Sequence, residues 1–282
     1  MMNRQMNIRS GFVVLMASVF FLMSVPADLS AELHAAGCKT EHFMLKDLAA
    51  AYKAKTGNSV RLGRTGNKKA VTMLLKDEVD FAFTCKPIAK LSKKFNLDGA
   101  TIADWTSVPI GKDPIIVISN YVNGVDDISL KDLTRIFKGE VKNWKELGGN
   151  DVPVVVGHLS EDIESGVVLL FKEFTVGNKG TLAANATKLD DPIKVGRFVY
   201  STPGAVSFLS LTSFKDKKST VMKVDGFDPT SENIFNNKYK LNATYYITAP
   251  VKKDAIVADF IAFSQSAEGQ AIVAEKFIPY TK

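Results

Sequence analysis

Cysteine is scarce in this 282-residue chain: it carries two, Cys38 and Cys85, beside three histidines and two tryptophans. The pair allows at most one internal disulfide. The sequence also lacks G-x-S-x-G, H-E-x-x-H, a P-loop and a dinucleotide fingerprint, so no familiar text marks a hydrolase, zinc peptidase, NTPase or dehydrogenase. It has no arginine-rich block and no interleaving of aromatic with basic residues, and so shows no sign of a nucleic-acid surface. Repeats and low-complexity tracts are absent. After Ala31 no apolar run is long enough to cross a bilayer.

What is present reads as a globular protein. Hydrophobic residues make up 46% of the chain and charged residues 23%, which excludes disordered and collagen-like classes. The length suits two modest domains. Arg4 and Arg9 precede a charge-free apolar run over residues 11–27 that is broken by Pro26. Small-residue cleavage sites end at Ala27 and at Ala31. A basic start, an apolar centre and a small-residue site together form a secretory signal peptide. Residues 1–31 are assigned to it, and the mature protein is expected in the periplasm. Removing residues 1–27 takes away two arginines and no acid, so the formal charge falls from +6 to +4. A mild positive field of this kind suits an anionic ligand.

Strand and helix patterns then alternate. Residues 32–36 read as a strand. Residues 43–55 read as a helix with Met44, Leu48, Ala51 and Tyr52 on one face and Gly57 as its stop. A strand at 59–62, a helix at 67–77 and a strand at 79–84 complete a β-α-β-α-β run, which implies a parallel sheet. Further on, 114–119 is an apolar strand, and Ser129 caps a helix with Asp132 at its third position. Strands are expected at 153–156, 205–211 and 241–247, and helices at 166–174, 255–263 and near 268–275.

Several segments carry a recognisable text. DDISLKDLTRIFKGEVKNWKELGGNDVPVVV, residues 126–156, resembles a stretch of the phosphate-binding proteins of ABC importers. DLAAAYKAKTGNSVRL, VDFAFTCKPI, STPGAVSFLSL and FIAFSQSAEGQAIVAEKFIPY resemble other segments of that family, in the same order. The resemblance implies a type 2 periplasmic binding protein: an α/β fold with two α/β lobes and a hinge of two crossing segments, without enzymatic activity or cofactor. Crossings are expected near 110–114 and 240–245. Lobe one then comprises 32–112 with 241–282, and lobe two 113–240. The implied partners are a small anionic solute and an ABC permease, with the protein working as a monomer.

In such sheets ligands bind beyond the carboxyl ends of the strands, where helix N-termini offer free N–H groups. The candidate ligand-binding residues are Lys39, Thr40, Thr65, Gly66, Asn67, Thr84, Lys86, His158, Ser165 and Gly166. At these positions the chain departs from the family. GHLSEDIESGV, residues 157–167, has no arginine, has Val167 where a threonine is usual, and adds Glu161, Asp162 and Glu164. Cys85 stands where the family carries an aspartate, and Cys38 stands where it has a small residue. Both cysteines follow strands that are neighbours in this sheet order, so a Cys38–Cys85 disulfide at the cleft floor is expected. Three alternatives use the same residues: a metal or haem site made by Cys38, His42, Cys85 and His158, a Cys85–His158 nucleophile, and lipid attachment at Cys38.

Overall fold

The computed structural model describes residues 30–38, 40–160, 166–177, 179–215, 218–252 and 254–280. The signal-peptide assignment therefore lies almost wholly outside the described residues. Among those described, no helix is long and apolar enough to cross a membrane.

Lobe one opens with β1 (Glu32–Gly37), α1 (His42–Thr56), β2 (Ser59–Arg64), α2 (Asn67–Leu75), β3 (Phe81–Thr84) and α3 (Ile88–Phe95). β1 pairs in parallel with both β2 and β3, as the alternating pattern implies. Next comes β4 (Trp105–Ser119), the longest strand with β10 (Asn242–Pro250) running antiparallel along its first part. The second part of β4, from Ile115 to Ser119, pairs instead with β8 (Ala205–Ser210). One strand thus belongs to both lobes, and the sheet runs β2-β1-β3-β10-β4-β8-β6-β7 without a break.

Lobe two adds β5 (Asp127–Ile128), α4 (Leu130–Phe137), β6 (Val155–Leu159), α5 (Gly166–Phe174), β7 (Thr187–Leu189), α6 (Pro192–Ser201), β9 (Thr220–Val224) and α7 (Ser231–Phe235). The chain then returns through β10 to α8 (Ala255–Gln265), α9 (Ala267–Ala274) and β11 (Ile278–Pro279). Gln270 ties this return to the crossing strand: its Nε2 donates to Ile110 O at 3.0 Å, and its Oε1 accepts from Tyr280 N at 2.8 Å.

The recognisable texts have local physical causes. Ser129 Oγ accepts from Asp132 N at 3.0 Å and caps α4, as its spacing predicts. Asn143 and Glu146 form a reciprocal capping box around a short turn that buries Trp144 completely. The Trp144 Nε1–H donates to Gly204 O at 2.9 Å. Gly204 has φ +77°, and a Cβ there would lie 1.9 Å from Pro153 O, so glycine alone fits. α5 is anchored by Phe171, which stacks on Phe208 at 3.6 Å between centroids and meets Phe137 edge-on at 4.7 Å.

At the crossing, Asp113 is 1% exposed. Its carboxylate accepts from Ser210 Oγ at 2.5 Å and from Thr212 Oγ1 at 3.0 Å, with Tyr245 Oη at 3.4 Å. Burial lifts this carboxyl from 3.8 to about 6, against the pull of those donors. The folded protein therefore holds the proton more tightly than the unfolded chain. The contribution of Asp113 to stability is fully present below the unfolded value of 3.8 and is lost as pH rises through about 6. The full decline is about 3 kcal/mol. Asp113→Asn should flatten it, as read by urea unfolding across that interval; parallel wild-type and mutant profiles would refute the assignment.

Candidate functional site

The loops after β1, β2 and β3 meet at one edge of lobe one, and α5 of lobe two begins directly against them. Gly37 lets the first loop pass close: a Cβ there would lie 2.0 Å from Phe83 O. Cys38 follows, 3% exposed, with its N–H donating to Phe83 O at 3.2 Å. Cys85, after β3, is 4% exposed. A Cβ built on Gly166 would stand 3.1 Å from Cys38 Sγ and 3.5 Å from Cys85 Sγ. The first residue of α5 therefore faces both sulfurs across the seam, with little room for a side chain between.

The expected disulfide is not formed; both cysteines are buried thiols. β1 and β3 do lie side by side, with Gly37 opposite Phe83. Each sulfur is instead engaged by hydrogen bonds. Asn67 Nδ2 donates to Cys85 Sγ at 2.9 Å, and Asn67 Oδ1 accepts from Cys85 N at 3.2 Å. The Cys85 thiol hydrogen-bonds to Cys38, and this is the main reason that Cys38 is held down to about 6. The backbone and hydroxyl of Thr40 and the backbone of Glu41 add to that effect, while burial opposes it. Cys85 is pushed well up by the same hydrogen bond and by burial. Within the pair the charged form is thus favoured at Cys38 over Cys85.

Glu41 went unnoticed in the sequence because a charged residue in a turn reads as solvated. It is fully buried, with the backbone of Tyr246 and of Thr84 beside its carboxyl. Burial first, and then the charge at Cys38, push its carboxyl well above the ordinary range, with backbone groups of Tyr246 and Thr84 pulling the other way. Burial therefore favours its neutral form.

Other candidates are occupied within the protein. Thr84 Oγ1 donates to Lys86 O at 2.8 Å and meets Thr248 Oγ1 at 3.2 Å. The N–H groups of Thr65 and Gly66 donate to Gly37 O at 3.0 and 2.9 Å. Lys39 and Ser165 lie outside the described residues, as do Glu161, Asp162 and Glu164. Lys86 forms an ion pair across the seam with Glu173 of α5. Beside that pair opens a cavity of about 330 Å³ between the lobes, lined by Cys85, Lys86, Lys90, Glu173 and Lys240 among others.

The histidines do not join the cysteines. His42 lines a hollow on the outer side of lobe one with Lys46 and Arg61. Its pKa is lowered by burial and then by Arg64 and Lys46. His158 is buried, its Nδ1 lies 2.6 Å from Leu159 O, and it lines a different cavity with Lys138 and Lys188. Among the described residues no three or more His, Cys, Asp or Glu side chains are grouped to hold a metal. The four-residue metal reading and the Cys85–His158 pairing are thereby overturned: both needed His158 in the cleft.

Comparison with known proteins agrees with this architecture. The phosphate-binding protein PstS of Bacillus subtilis is 27% identical over 191 residues, which is 67% of this chain and 61% of that protein. PstS of Borreliella burgdorferi is 28% identical over 58% of this chain and 62% of its own length. The matches thus span about three fifths of these curated relatives. An ABC-type phosphate transport receptor from Vibrio cholerae superposes with a TM-score of 0.74 at 23% identity, covering 86% of this chain and 98% of the other. At that identity the likeness shows the fold, the two-lobed type 2 architecture. The family model described as the PBP superfamily domain matches residues 24–268, nearly the whole of the chain, which therefore belongs to that family.

Proposed function

We propose that this protein is an exported solute-binding protein that captures a small anion, a phosphate-like oxyanion or a small acid, between its lobes. It then passes the anion to an ABC permease of the inner membrane or to a sensor. Export to the periplasm rests on the pattern of residues 1–31, and the mature protein is read as a monomer by its resemblance to the binding-protein family. The moving bodies are residues 32–112 with 241–282 and residues 113–240, turning about β4 and the entry to β10.

One observation carries the reading. The seam between the lobes holds a cavity of about 330 Å³ with three lysines, Lys86, Lys90 and Lys240, against one acid, Glu173. That acid is already spent on Lys86. The remaining positive charge faces a space large enough for an oxyanion or a small carboxylate, and low-dielectric walls strengthen the attraction. The named ligands of PstS relatives are of the same chemical class.

Binding to the folded state alone raises thermal stability. Phosphate, sulfate, arsenate and small mono- and dicarboxylates should be titrated separately against the purified mature protein. At a hundred times its Kd, a bound anion adds about 2.7 kcal/mol, a rise of several degrees in Tm. A full panel that leaves Tm unmoved would sink the proposal. Lys240→Ala should weaken the binding anion about fivefold, close to 1 kcal/mol, without loss of folding, since Lys240 is exposed. Unchanged affinity by calorimetry would place the anion elsewhere. The exported protein should begin at Asp28 or Glu32 by intact mass; a retained segment 1–27 would refute cleavage.

A further inference from the structure

We propose that the free edge of β2, walled by α1, is a docking groove for an extended acidic segment of a partner protein, which joins the sheet as a further strand. The inference goes beyond the anion-binding reading. The groove lies on the outer side of lobe one and shares no lining residue with the cavity between the lobes.

The backbone supplies the first observation. β2 is the outermost strand of the sheet, and among the described residues it pairs only with β1. The N–H groups of Ser59 and Thr65 donate to Ala31 O and Gly37 O on the β1 side, at 2.8 and 3.0 Å. Successive residues of a strand alternate in direction, so the N–H groups of Val60, Leu62 and Arg64 turn to the free edge. None of the six residues of β2 is buried, and the strand carries neither proline nor a break in register. A hollow of about 550 Å³ lies against it. Four consecutive residues, Ser59 to Leu62, line this hollow although their side chains point to opposite faces in turn. It therefore follows the edge of the strand and not one face.

Charge supplies the second. Lys46 and Lys53 reach the hollow from one face of α1, with Ala49 and Ala50 between them, and Arg61 reaches it from β2. None of these three cations has an ion pair among the described residues. Elsewhere on α1 the charges are matched: Asp47 pairs with Lys276 and Lys55 with Glu268. The acid that lines the hollow, Glu32, lies 3.2 Å from His34 Nε2. A row of cations without counter-charge thus runs along an open strand edge. Arg64, whose guanidinium lies 5.4 Å from the Phe43 ring, continues the row on the same strand.

This charge selects the occupant. A second copy of the chain would set Arg61 and Arg64 of one β2 against those of the other, and like charges on adjacent strands repel. A segment with carboxylates at every second position would turn them towards Lys46 and Lys53 while its backbone meets the free N–H groups. In strand addition the backbone bonds supply affinity and the side chains supply choice.

The probe is an end-blocked peptide of alternating Glu and Val, as long as the six residues of β2, titrated against the mature protein by fluorescence anisotropy. Two controls accompany it: the same peptide with Lys in place of Glu, and the Glu peptide N-methylated at alternate residues so that it cannot pair. The Glu peptide should bind and the controls should not. Lys53→Glu combined with Arg61→Glu should weaken it at least about tenfold. Both residues are exposed, so Tm and the response of the cleft to anions should match wild type. Bound peptide should also slow hydrogen exchange at the N–H groups of Val60 and Leu62. A Glu peptide that does not bind, controls that bind equally, an unweakened double variant, or unchanged exchange at Val60 and Leu62 would each overturn the inference. Self-association of the protein in place of peptide binding would overturn it too, by making a second copy the occupant. Anion binding in the cleft is scored separately by Tm, so either reading can fail while the other stands.

Discussion

Gly166 faces the sulfurs of Cys38 and Cys85 across the seam between the lobes, where an added Cβ would lie 3.1 and 3.5 Å from them. A side chain at position 166 would crowd Cys38 Sγ, so the seam favours a small residue at the start of α5. The partner surface is placed just as tightly. Gly37 allows the first loop to run against Phe83, and the Phe171–Phe208 stack pins α5 to the core of lobe two. The Lys86–Glu173 pair then closes the mouth above the thiols. Each of these features belongs to a different segment of sequence, yet all converge on one seam.

Charge is arranged along that seam with little outside help. Helix starts favour negative charge because their first N–H groups lack partners within the helix. At Cys38 the hydrogen bond from Cys85 and the neighbouring backbone favour the charged form, and burial opposes it. Glu41 is pushed towards its neutral form chiefly by burial, and Cys85 chiefly by its hydrogen bond to Cys38. The hinge repeats the theme at Asp113, where burial and donors oppose each other and burial prevails. Buried acids at both the floor and the hinge make the closed state sensitive to proton concentration in a way that an apolar seam would not be.

Local pattern made much of the fold legible. The amphipathic face of α1, the Ser129 cap of α4 and the β-α-β-α-β order all follow from residue spacing, and the structure reproduces them. The first half of β4 was hidden because Pro109, Gly111 and Pro114 interrupt it; it holds as a strand since β10 and β11 pair along its flanks. α3 was missed behind Pro87. α6 was missed although Asp191 followed by Pro192 is a recognised helix start, with the Asp191 side chain accepting from Ile193 N.

The site was legible by position and not by state. Cys38, Asn67, Cys85 and Gly166 lie together at one edge, as loop placement after parallel strands implies, because chain direction decides which loops share an edge. What those residues do depends on pairings that have no local signature. Nothing in the neighbourhood of Thr84 shows that its hydroxyl is taken by Lys86 O and Thr248. Nothing near His158 shows that its ring turns to Leu159 O and away from the cysteines. Glu41 alters the chemistry through burial, which disfavours its charged form, and Cys38 through its hydrogen bond to Cys85, a residue 47 positions away in sequence. A scaffold shared with phosphate-binding relatives therefore constrains where a ligand can sit, while the occupancy of the donors at that place decides what can sit there.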